Sequence, residues 1–286
     1  HNFTVFPEVI NSMSGLRRVA VTHGPLEHMG NDFGLVSQDL SVLSLDHNRL
    51  PTLPKGLEQA HRLHTLYASF NRLRYIPSKL WSLPNLYAID LSSNLLDFRN
   101  IALNAPSLHY LLLQNNSGTK IPDSLTYNNC PNLVNLDMAG NRLTHISKEV
   151  GTFHRTLVEL VLSRNNLTGA SFPEELQSLF LSSRLDVRNN SIASLPRWFE
   201  HIIGPEFYIA DNPICSNDWK LSSACPPSLK LALENARFGC SRQCSPFCNN
   251  VDLDREVLGA VETCIPGCNS KVCGYSNGGC SFPTSG

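Results

Sequence analysis

The chain has few of the features that mark membrane proteins, nucleic-acid-binding proteins or common enzymes. No apolar run reaches the length of about 18 residues that a membrane-spanning helix needs, so we expect no transmembrane segment in this chain. The 24 acidic and 23 basic residues nearly cancel, which leaves no strong field for nucleic acid. The chain contains no HExxH pair, no glycine-rich phosphate loop and no kinase motif set. We therefore predict no catalytic activity, no catalytic residues and no metal-binding residues.

What the chain has instead is a periodic asparagine. Each copy stands in the frame LxxLxLxxNxL, and one copy runs from Leu86 through Asn94 to Leu96. The alternation LxL predicts a short strand with one buried face. One coil of this length cannot bury its apolar face alone, so the copies are expected to stack with their strands side by side. Successive copies are 22 to 25 residues apart, and their asparagines are Asn48, Asn71, Asn94, Asn116, Asn141, Asn165, Asn190 and Asn212.

This period and frame resemble the leucine-rich repeat family. The resemblance implies an α/β solenoid: a leucine-rich repeat horseshoe with a parallel sheet on its concave face, here followed by a small disulfide-rich C-terminal module. We expect eight or nine strands, with the solenoid covering residues 1–214. The asparagines are predicted to form a ladder that bonds backbone groups of their own and the next coil, because those groups would otherwise be buried without partners.

The solenoid begins in the middle of a repeat. Residues 6–16 align with residues 76–86, and Gly24 then occupies the first ladder position. No cysteine precedes Cys130, so we expect no disulfide cap at this end. A solenoid end without a polar cap exposes its core. We therefore expect either that the chain is a piece of something longer or that another chain covers this end. The candidate assembly residues are Phe3, Phe6, Val9 and Ile10.

Cysteine is concentrated at the other end of the chain. Nine of the ten cysteines lie between Cys215 and Cys280, a density that is typical of disulfides in an oxidising compartment. A zinc cluster is the alternative, but CxxC pairs are absent. Cys130 replaces a core leucine of the repeat and is expected to be a buried free thiol. Because nine is odd, one tail cysteine must stay free, pair with Cys130 or bond another chain. The predicted disulfide cysteines are Cys215, Cys225, Cys240, Cys244, Cys248, Cys264, Cys268, Cys273 and Cys280.

Two further resemblances divide this tail. The run from Asp211 to Cys215 and the apolar stretch at residues 229–233 resemble the cysteine-bearing caps of extracellular leucine-rich repeat domains, which implies a cap at 215–239. Residues 240–286 form a second predicted module. Its segment 264–281 resembles the second half of a Notch-type cysteine-rich repeat in its cysteine spacing, in Asn269 and in the pair Gly274-Tyr275.

The Notch-type resemblance implies six cysteines in three bridges, within 244–280, around one calcium ion. Two of the carboxylates that hold calcium in that family are replaced here by Ser276 and Gly279. Calcium needs several oxygen ligands, including charged ones. Asp252 and Asp254 could compensate, but we expect no tight calcium site and no other cofactor.

Four sequons indicate possible glycan sites, and three of them, at Asn115, Asn166 and Asn189, stand at predicted outward positions beside ladder asparagines. They begin at Asn2, Asn115, Asn166 and Asn189. Together with the predicted disulfides, they favour an extracellular or cell-surface glycoprotein.

The concave face is the default binding surface of a solenoid of this kind. Its central column is predicted to be Ser44, Tyr67, Asp90, Leu112, Asp137, Val161, Asp186 and Tyr208. Flanking positions add Thr65, Tyr110, Asn135, Glu159 and Arg184. Within this surface we single out as binding candidates Tyr67, Asp90, Tyr110, Leu112, Asp137, Glu159, Arg184 and Tyr208. Exposed aromatic side chains with few charges suit a protein or a glycan contact, although the same side chains could also pack sideways along the sheet.

Two functions fit this pattern. The first is a non-enzymatic recognition module that binds a protein or glycan through its concave face, which is what the resemblance to the repeat family implies. The second is a structural subunit that assembles with copies of itself into a filament, sheath or wall layer, through the uncapped end and the cysteine-rich tail.

Overall fold

The structure, a computed structural model, describes residues 1–11, 13, 15–35, 38–181, 183–196, 198–199 and 207–215. The predicted module at 240–286 and nearly all of the predicted cap lie outside these residues. The tail cysteines from Cys225 onward, and Asp252 and Asp254, also lie outside these residues. What the sequence predicts for them stays a prediction.

The described residues form one nine-stranded parallel sheet in which each strand pairs with the next along the chain. The predicted strand number and the parallel arrangement are therefore confirmed. The strands are short because each is only the LxL part of a coil, and the chain must then turn back to begin the next. They are β1 (Arg18–Ala20), β2 (Val42–Ser44), β3 (Thr65–Tyr67), β4 (Ala88–Asp90), β5 (Tyr110–Leu112), β6 (Asn135–Asp137), β7 (Glu159–Val161), β8 (Arg184–Asp186) and β9 (Phe207–Tyr208).

The return segments, which lead from one strand to the next, are irregular or form short helices. The first coil holds a single-turn helix α1 (Glu8–Asn11), which stands where the aligned later coil has a 3₁₀ turn. A proline precedes several of these helical turns, because its fixed φ suits the start of a turn and it has no N–H that needs an acceptor there. Within the described residues, the 3₁₀ helices are Lys55–Gln59, Ser78–Ser82, Phe98–Asn100, Lys148–Phe153, Gly169–Ser171, Glu174–Leu181 and Pro213–Cys215.

The asparagine ladder connects consecutive coils through backbone hydrogen bonds. At the central rung, Asn94 Oδ1 accepts from the N–H of Leu73 at 2.9 Å. Its Nδ2 donates to the carbonyls of Ala68 at 2.9 Å, Leu91 at 3.0 Å and Ser92 at 3.1 Å. The inter-coil bonds thus run to the preceding coil, whereas the sequence suggested the next one. The same pattern recurs at every rung from Asn48 to Asn212.

One continuous apolar core runs along the stack. The middle residue of each strand points into it, and the large side chains Trp81, Phe98 and Phe153 fill it from the return side. Phe6 also belongs to this core. It is 2% exposed, and its ring meets the edge of Phe33 at 4.9 Å. The expectation that Phe6 lies on an open assembly surface is therefore wrong.

The other assembly candidates lie nearer the surface. Val9 is 64% exposed, while Phe3 and Ile10 are half-buried against the core. Val5 and Met13 add exposed apolar area beside them. The first coil thus presents Val5, Val9 and Met13 to solvent, with Phe3 and Ile10 half-buried beside them, and their role in assembly stays a prediction.

Cys130 is a buried free cysteine, as the repeat alignment predicts. Burial raises the pKa of its thiol to about 11. The thiolate is the reactive form, so we expect iodoacetamide at pH 8 to leave Cys130 unmodified in the folded protein and to modify it fully in guanidinium. Mass spectrometry of the peptide that contains Cys130 measures this. Modification of the folded protein as fast as the unfolded one would contradict the buried position.

Candidate functional site

The predicted concave column is aligned across the sheet. Each strand's last residue pairs in register with the last residue of its neighbours, from Ser44 on β2 to Tyr208 on β9. We call this row the central column. The first strand residues make a parallel row, which we call the flanking column. It consists of Thr65, Ala88, Tyr110, Asn135, Glu159 and Arg184. The two columns bring together all eight of the predicted binding candidates on one face.

Many of these side chains are more buried than the sequence suggested. Tyr67, Tyr110, Leu112 and Arg184 are half-buried. The remaining candidates are buried outright, with exposed fractions of 5% or less for Asp90, Asp137, Glu159 and Tyr208. Neighbouring strands lie only about 4.8 Å apart, so bulky side chains in register cover the shorter ones between them. Among the candidates, the accessible part of the face is therefore formed by Tyr67, Tyr110, Leu112 and Arg184, and the carboxylates lie buried between neighbouring side chains.

The central-column aspartates cap the ends of their strands. Oδ1 of Asp90 accepts from the backbone N–H of Ser92 at 2.9 Å, and Oδ1 of Asp137 accepts from that of Ala139 at 2.9 Å. Asp186 makes the same bond to Arg188 and also accepts from its guanidinium at 2.9 and 2.6 Å. That guanidinium lies 5.5 Å from the ring centre of Tyr208. Asp186 thus has a cation beside it.

Burial raises the pKa of both Asp90 and Asp137 to about 7. For Asp90 the carboxylate of Asp46 adds to the rise, and hydrogen bonds from Ser92 oppose it. For Asp137 the charges of Asp186 and Asp90 add to the rise, and the N–H of Ala139 opposes it. Burial also raises the pKa of the Tyr67 phenol, so that this side chain stays neutral. The face therefore contains two carboxylates whose charge changes near neutral pH.

Two rows of stacked rings flank the central column in the first half of the solenoid. Along the amino-terminal ends of the strands, Tyr87 stacks on His64 at 4.8 Å, and its ring lies 4.3 Å from that of His109 at a tilt of 30°. We call this row the amino-edge stack. Along the carboxyl-terminal ends, His47 stacks on His23 at 4.3 Å and on Phe70 at 4.3 Å. We call this row the carboxyl-edge stack.

His47 and His64, one in each stack, are held towards the neutral form by a lowered pKa. Burial lowers the pKa of His47, with a further contribution from His23 and an opposing one from Asp46. Burial and the neighbouring His109 likewise lower the pKa of His64. Neutral rings at His47 and His64 can stack on their neighbours without charge repulsion. The sequence showed that His23 and His47 share a repeat position but did not show the stack.

The carboxyl-edge stack depends on an unusual backbone position that the sequence analysis missed. The residue before each ladder asparagine has a positive φ, from 52° at Phe70 to 63° at Gly140. This conformation is uncommon for side chains other than Gly, Asn and Asp. The sequence contains a signal for this conformation, because four repeats have one of these residue types before the ladder asparagine: Asn115, Gly140, Asn189 and Asp211. The conformation projects one side chain per coil along the edge of the sheet.

The predicted glycan sites are accessible. Asn2, Asn115, Asn166 and Asn189 are all exposed, and Asn115 and Asn189 stand on the positive-φ row. Their modification remains a prediction. Within the described residues, no group of three His, Cys, Asp or Glu side chains is arranged to hold a metal ion. Across the same residues, no helix has the length and apolar character needed to cross a membrane.

Curated relatives share this repeat architecture in their sequences. The chain is 34% identical to fibromodulin of Oryctolagus cuniculus over 137 residues, which cover 47% of this chain and 91% of that protein. It is 30% identical to lumican of Gallus gallus over 227 residues, covering 75% of this chain. The matched part spans 62% of the length of that lumican. No model of a known protein family matches the chain.

Solved structures show the same fold. A leucine-rich repeat protein of Leptospira interrogans superposes with a TM-score of 0.68 at 27% identity, covering 84% of this chain and 57% of that one. The Arabidopsis receptor kinase HAESA, solved in complex with the peptide hormone IDA and the co-receptor SERK1, superposes with a TM-score of 0.60 at 26% identity. That match covers 72% of this chain and 36% of the receptor.

Proposed function

We propose that this chain, which belongs to the leucine-rich repeat family, is a non-enzymatic extracellular or cell-surface module that recognises a protein through its concave face. The observation that carries the proposal is that Tyr67, Tyr110 and Leu112 are half-buried on one face of the sheet, while the carboxylates of that face are buried. Large aromatic side chains with fixed positions are the usual anchors of protein interfaces. The receptor kinase HAESA, whose repeats superpose on this chain, binds a peptide hormone and a co-receptor.

The stacks favour a protein over a glycan as the ligand. Sugars pack on the open faces of aromatic rings, but here the faces are largely occupied by neighbouring rings. In the carboxyl-edge stack, His47 and Phe70 lie only 8° from parallel and 4.3 Å apart. What these rings present to a ligand is their edges, which suit the irregular apolar and polar surface of a polypeptide.

We expect the double substitution Tyr67→Ala with Tyr110→Ala to abolish partner binding and to leave the fold intact. Neither side chain points into the core, so their loss opens no core cavity. Loss of aromatic anchors at an interface commonly costs about 2 kcal/mol or more, which weakens affinity about 30-fold. Partners are first captured from extracellular proteins of the source organism with the parent chain. The affinity of each is then measured for parent and variant by biolayer interferometry.

The matched control is Tyr75→Ala. Tyr75 is 63% exposed and lies on a return segment, away from the concave face. It should bind every partner as the parent does. A concave double variant that keeps all the interactions of the parent would refute recognition through this face, and binding to a glycan array but to no protein would refute the choice of ligand.

Self-assembly is the second candidate function, and the exposed apolar side chains of the first coil favour it. Because Phe6 is a core residue, the informative substitution is Val9→Asp at a site that is 64% exposed. If the chain assembles through this coil, Val9→Asp should keep it monomeric in sedimentation velocity while the concave double variant assembles normally. A parent chain that stays monomeric at all accessible concentrations excludes this function.

A further inference from the structure

The concave face contains a row of hydrogen-bond acceptors with too few donors. Gln114 is 2% exposed, and neither its amide oxygen nor its amide nitrogen has a hydrogen-bond partner. Asn135 is also 2% exposed, and its Oδ1 has no partner. The orientation of the Asn135 amide is fixed, because its Nδ2 donates to the Glu159 carboxylate at 3.1 Å. Buried polar groups without partners are uncommon and costly.

Both amides lie beside the central-column carboxylates. Asn135 and Asp137 are first and last residues of β6, so their side chains point to the same face. Gln114 occupies the position two residues after the central column. At that position in other coils, Asp46 accepts from Ser44 at 2.9 Å and Arg188 donates to Asp186. The side chain at this position therefore reaches the central column, which puts the Gln114 amide beside Leu112, between Asp90 and Asp137.

Because acceptors outnumber donors here, the ligand group that completes the site must be a hydrogen-bond donor. Asn135 Oδ1, Gln114 Oε1 and the two carboxylates all accept, whereas the buried side-chain donors without a partner beside them are Gln114 Nε2 and the Ser92 hydroxyl. Asp186 already has Arg188 beside it, but Asp90 and Asp137 form no ion pair within the described residues. A cation that carries several N–H donors would satisfy the oxygens and the charge together. Guanidinium suits this site best because it has five donors and keeps its charge when buried.

The spacing of the two carboxylates adds a constraint on the ligand. Asp90 and Asp137 are two strands apart, with Leu112 between them, which is about 9.5 Å at the usual strand separation. A polyproline II segment rises about 3.1 Å per residue and has three residues per turn. Side chains at positions i and i+3 of such a segment therefore point the same way, about 9.3 Å apart.

We propose that Asp90 and Asp137, with Gln114 and Asn135, form a site that binds two arginine side chains spaced three residues apart on an extended, polyproline-like segment of the protein partner. This inference rests on the proposed recognition function. It specifies which feature of the partner the middle of the concave face selects. In the bound state each guanidinium faces one carboxylate, and the segment crosses the strands over Leu112.

The test uses synthetic peptides and the full chain. The probe is a proline-rich ten-residue peptide with arginines at i and i+3, titrated calorimetrically at low ionic strength. Its controls carry the arginines at i and i+2, or replace both with the neutral isostere citrulline. We expect the i, i+3 peptide to bind at least about tenfold more tightly than either control, since each misplaced or uncharged partner loses a charge-assisted bond.

Matched variants locate the site. Asp137→Asn and Asp90→Asn should each weaken binding of the i, i+3 peptide at least about tenfold. Asp123→Asn removes an exposed carboxylate on a return segment and should not weaken it. Both concave substitutions keep the Oδ1 acceptor used by the backbone, and circular dichroism checks their fold. Absence of binding, equal binding of the citrulline peptide, or an equal loss in Asp123→Asn would overturn the proposal. The parent chain could fail to bind the peptide while the double variant Tyr67→Ala with Tyr110→Ala still loses its protein partner. In that case the arginine site is wrong, and recognition through the concave face stands.

Discussion

Asn94→Ala is expected to lower the free energy of unfolding by about 3 kcal/mol. The side chain is 6% exposed and bonds one N–H and three carbonyls of two coils. Alanine leaves these groups buried without partners, and each such group costs about 1–3 kcal/mol. Relaxation and shared bonding within the coil offset part of that sum. Urea unfolding followed by circular dichroism measures the change as a lower midpoint.

The control for Asn94→Ala is Asn128→Ala, an exposed asparagine in a turn of a return segment. Its midpoint should stay close to that of the parent. Asn94→Asp is a sharper comparison, because it keeps an acceptor for the Leu73 N–H but places a carboxylate against carbonyl oxygens. At neutral pH it should destabilise at least as much as alanine. Equal midpoints for Asn94→Ala and Asn128→Ala would show that the ladder is not what couples the coils.

The register of the concave face could be predicted because it follows from the repeat alone. Once Asn71 and Asn94 are aligned, Tyr67 and Asp90 must be neighbours, and parallel stacking leaves no freedom to shift one strand. The same reasoning placed Cys130 in the core, because the repeat position is a leucine in the other coils. Periodicity thus determines the position of a residue on the face.

Exposure could not be predicted in this way, because it depends on the volumes of neighbouring side chains. Asp90 is covered by Tyr67 and Leu112 on either side, and no single coil reveals this. Phe6 was placed on the surface by analogy with an open end. It is buried because Phe33, a residue outside the repeat frame, turns back onto it. The carboxyl-edge stack could not be predicted either, since it requires the positive φ of His47 and Phe70.

The buried carboxylates make stability depend on pH in an unusual direction. The pKa of Asp137 is about 7 in the folded protein, against 3.8 as its ordinary value. Between these values the folded state binds more protons than the unfolded state, so stability falls as pH rises from about 4 to 7 and is level above that. Asp90 contributes in the same direction. The charged groups around the pair are Asp46, Glu159, Asp186 and Arg188, with the neutral phenol of Tyr67.

Asp137→Asn is therefore expected to stabilise the protein by about 2–4 kcal/mol at pH 8 and to have almost no effect at pH 4. Asparagine resembles the protonated acid, keeps the acceptor for the Ala139 N–H and carries no charge to bury. Thermal unfolding across this pH range should show a higher midpoint for the variant only on the alkaline side. The exposed Asp123→Asn should follow the parent at every pH, and a variant that is less stable than the parent at pH 8 would contradict the buried charge.

The expected stability gain of Asp137→Asn at pH 8 indicates a function for the carboxylate when it is compared with the effect of the same substitution on peptide binding. A carboxylate that destabilises the free protein and is replaced without harm to the fold has no structural reason to be there. If Asp137→Asn raises the unfolding midpoint at pH 8 and also weakens the arginine peptide, the charge at this position serves ligand binding at the expense of stability. If it raises the midpoint and leaves peptide binding unchanged, the carboxylate does not bind the cation, and the acceptor row needs a different ligand.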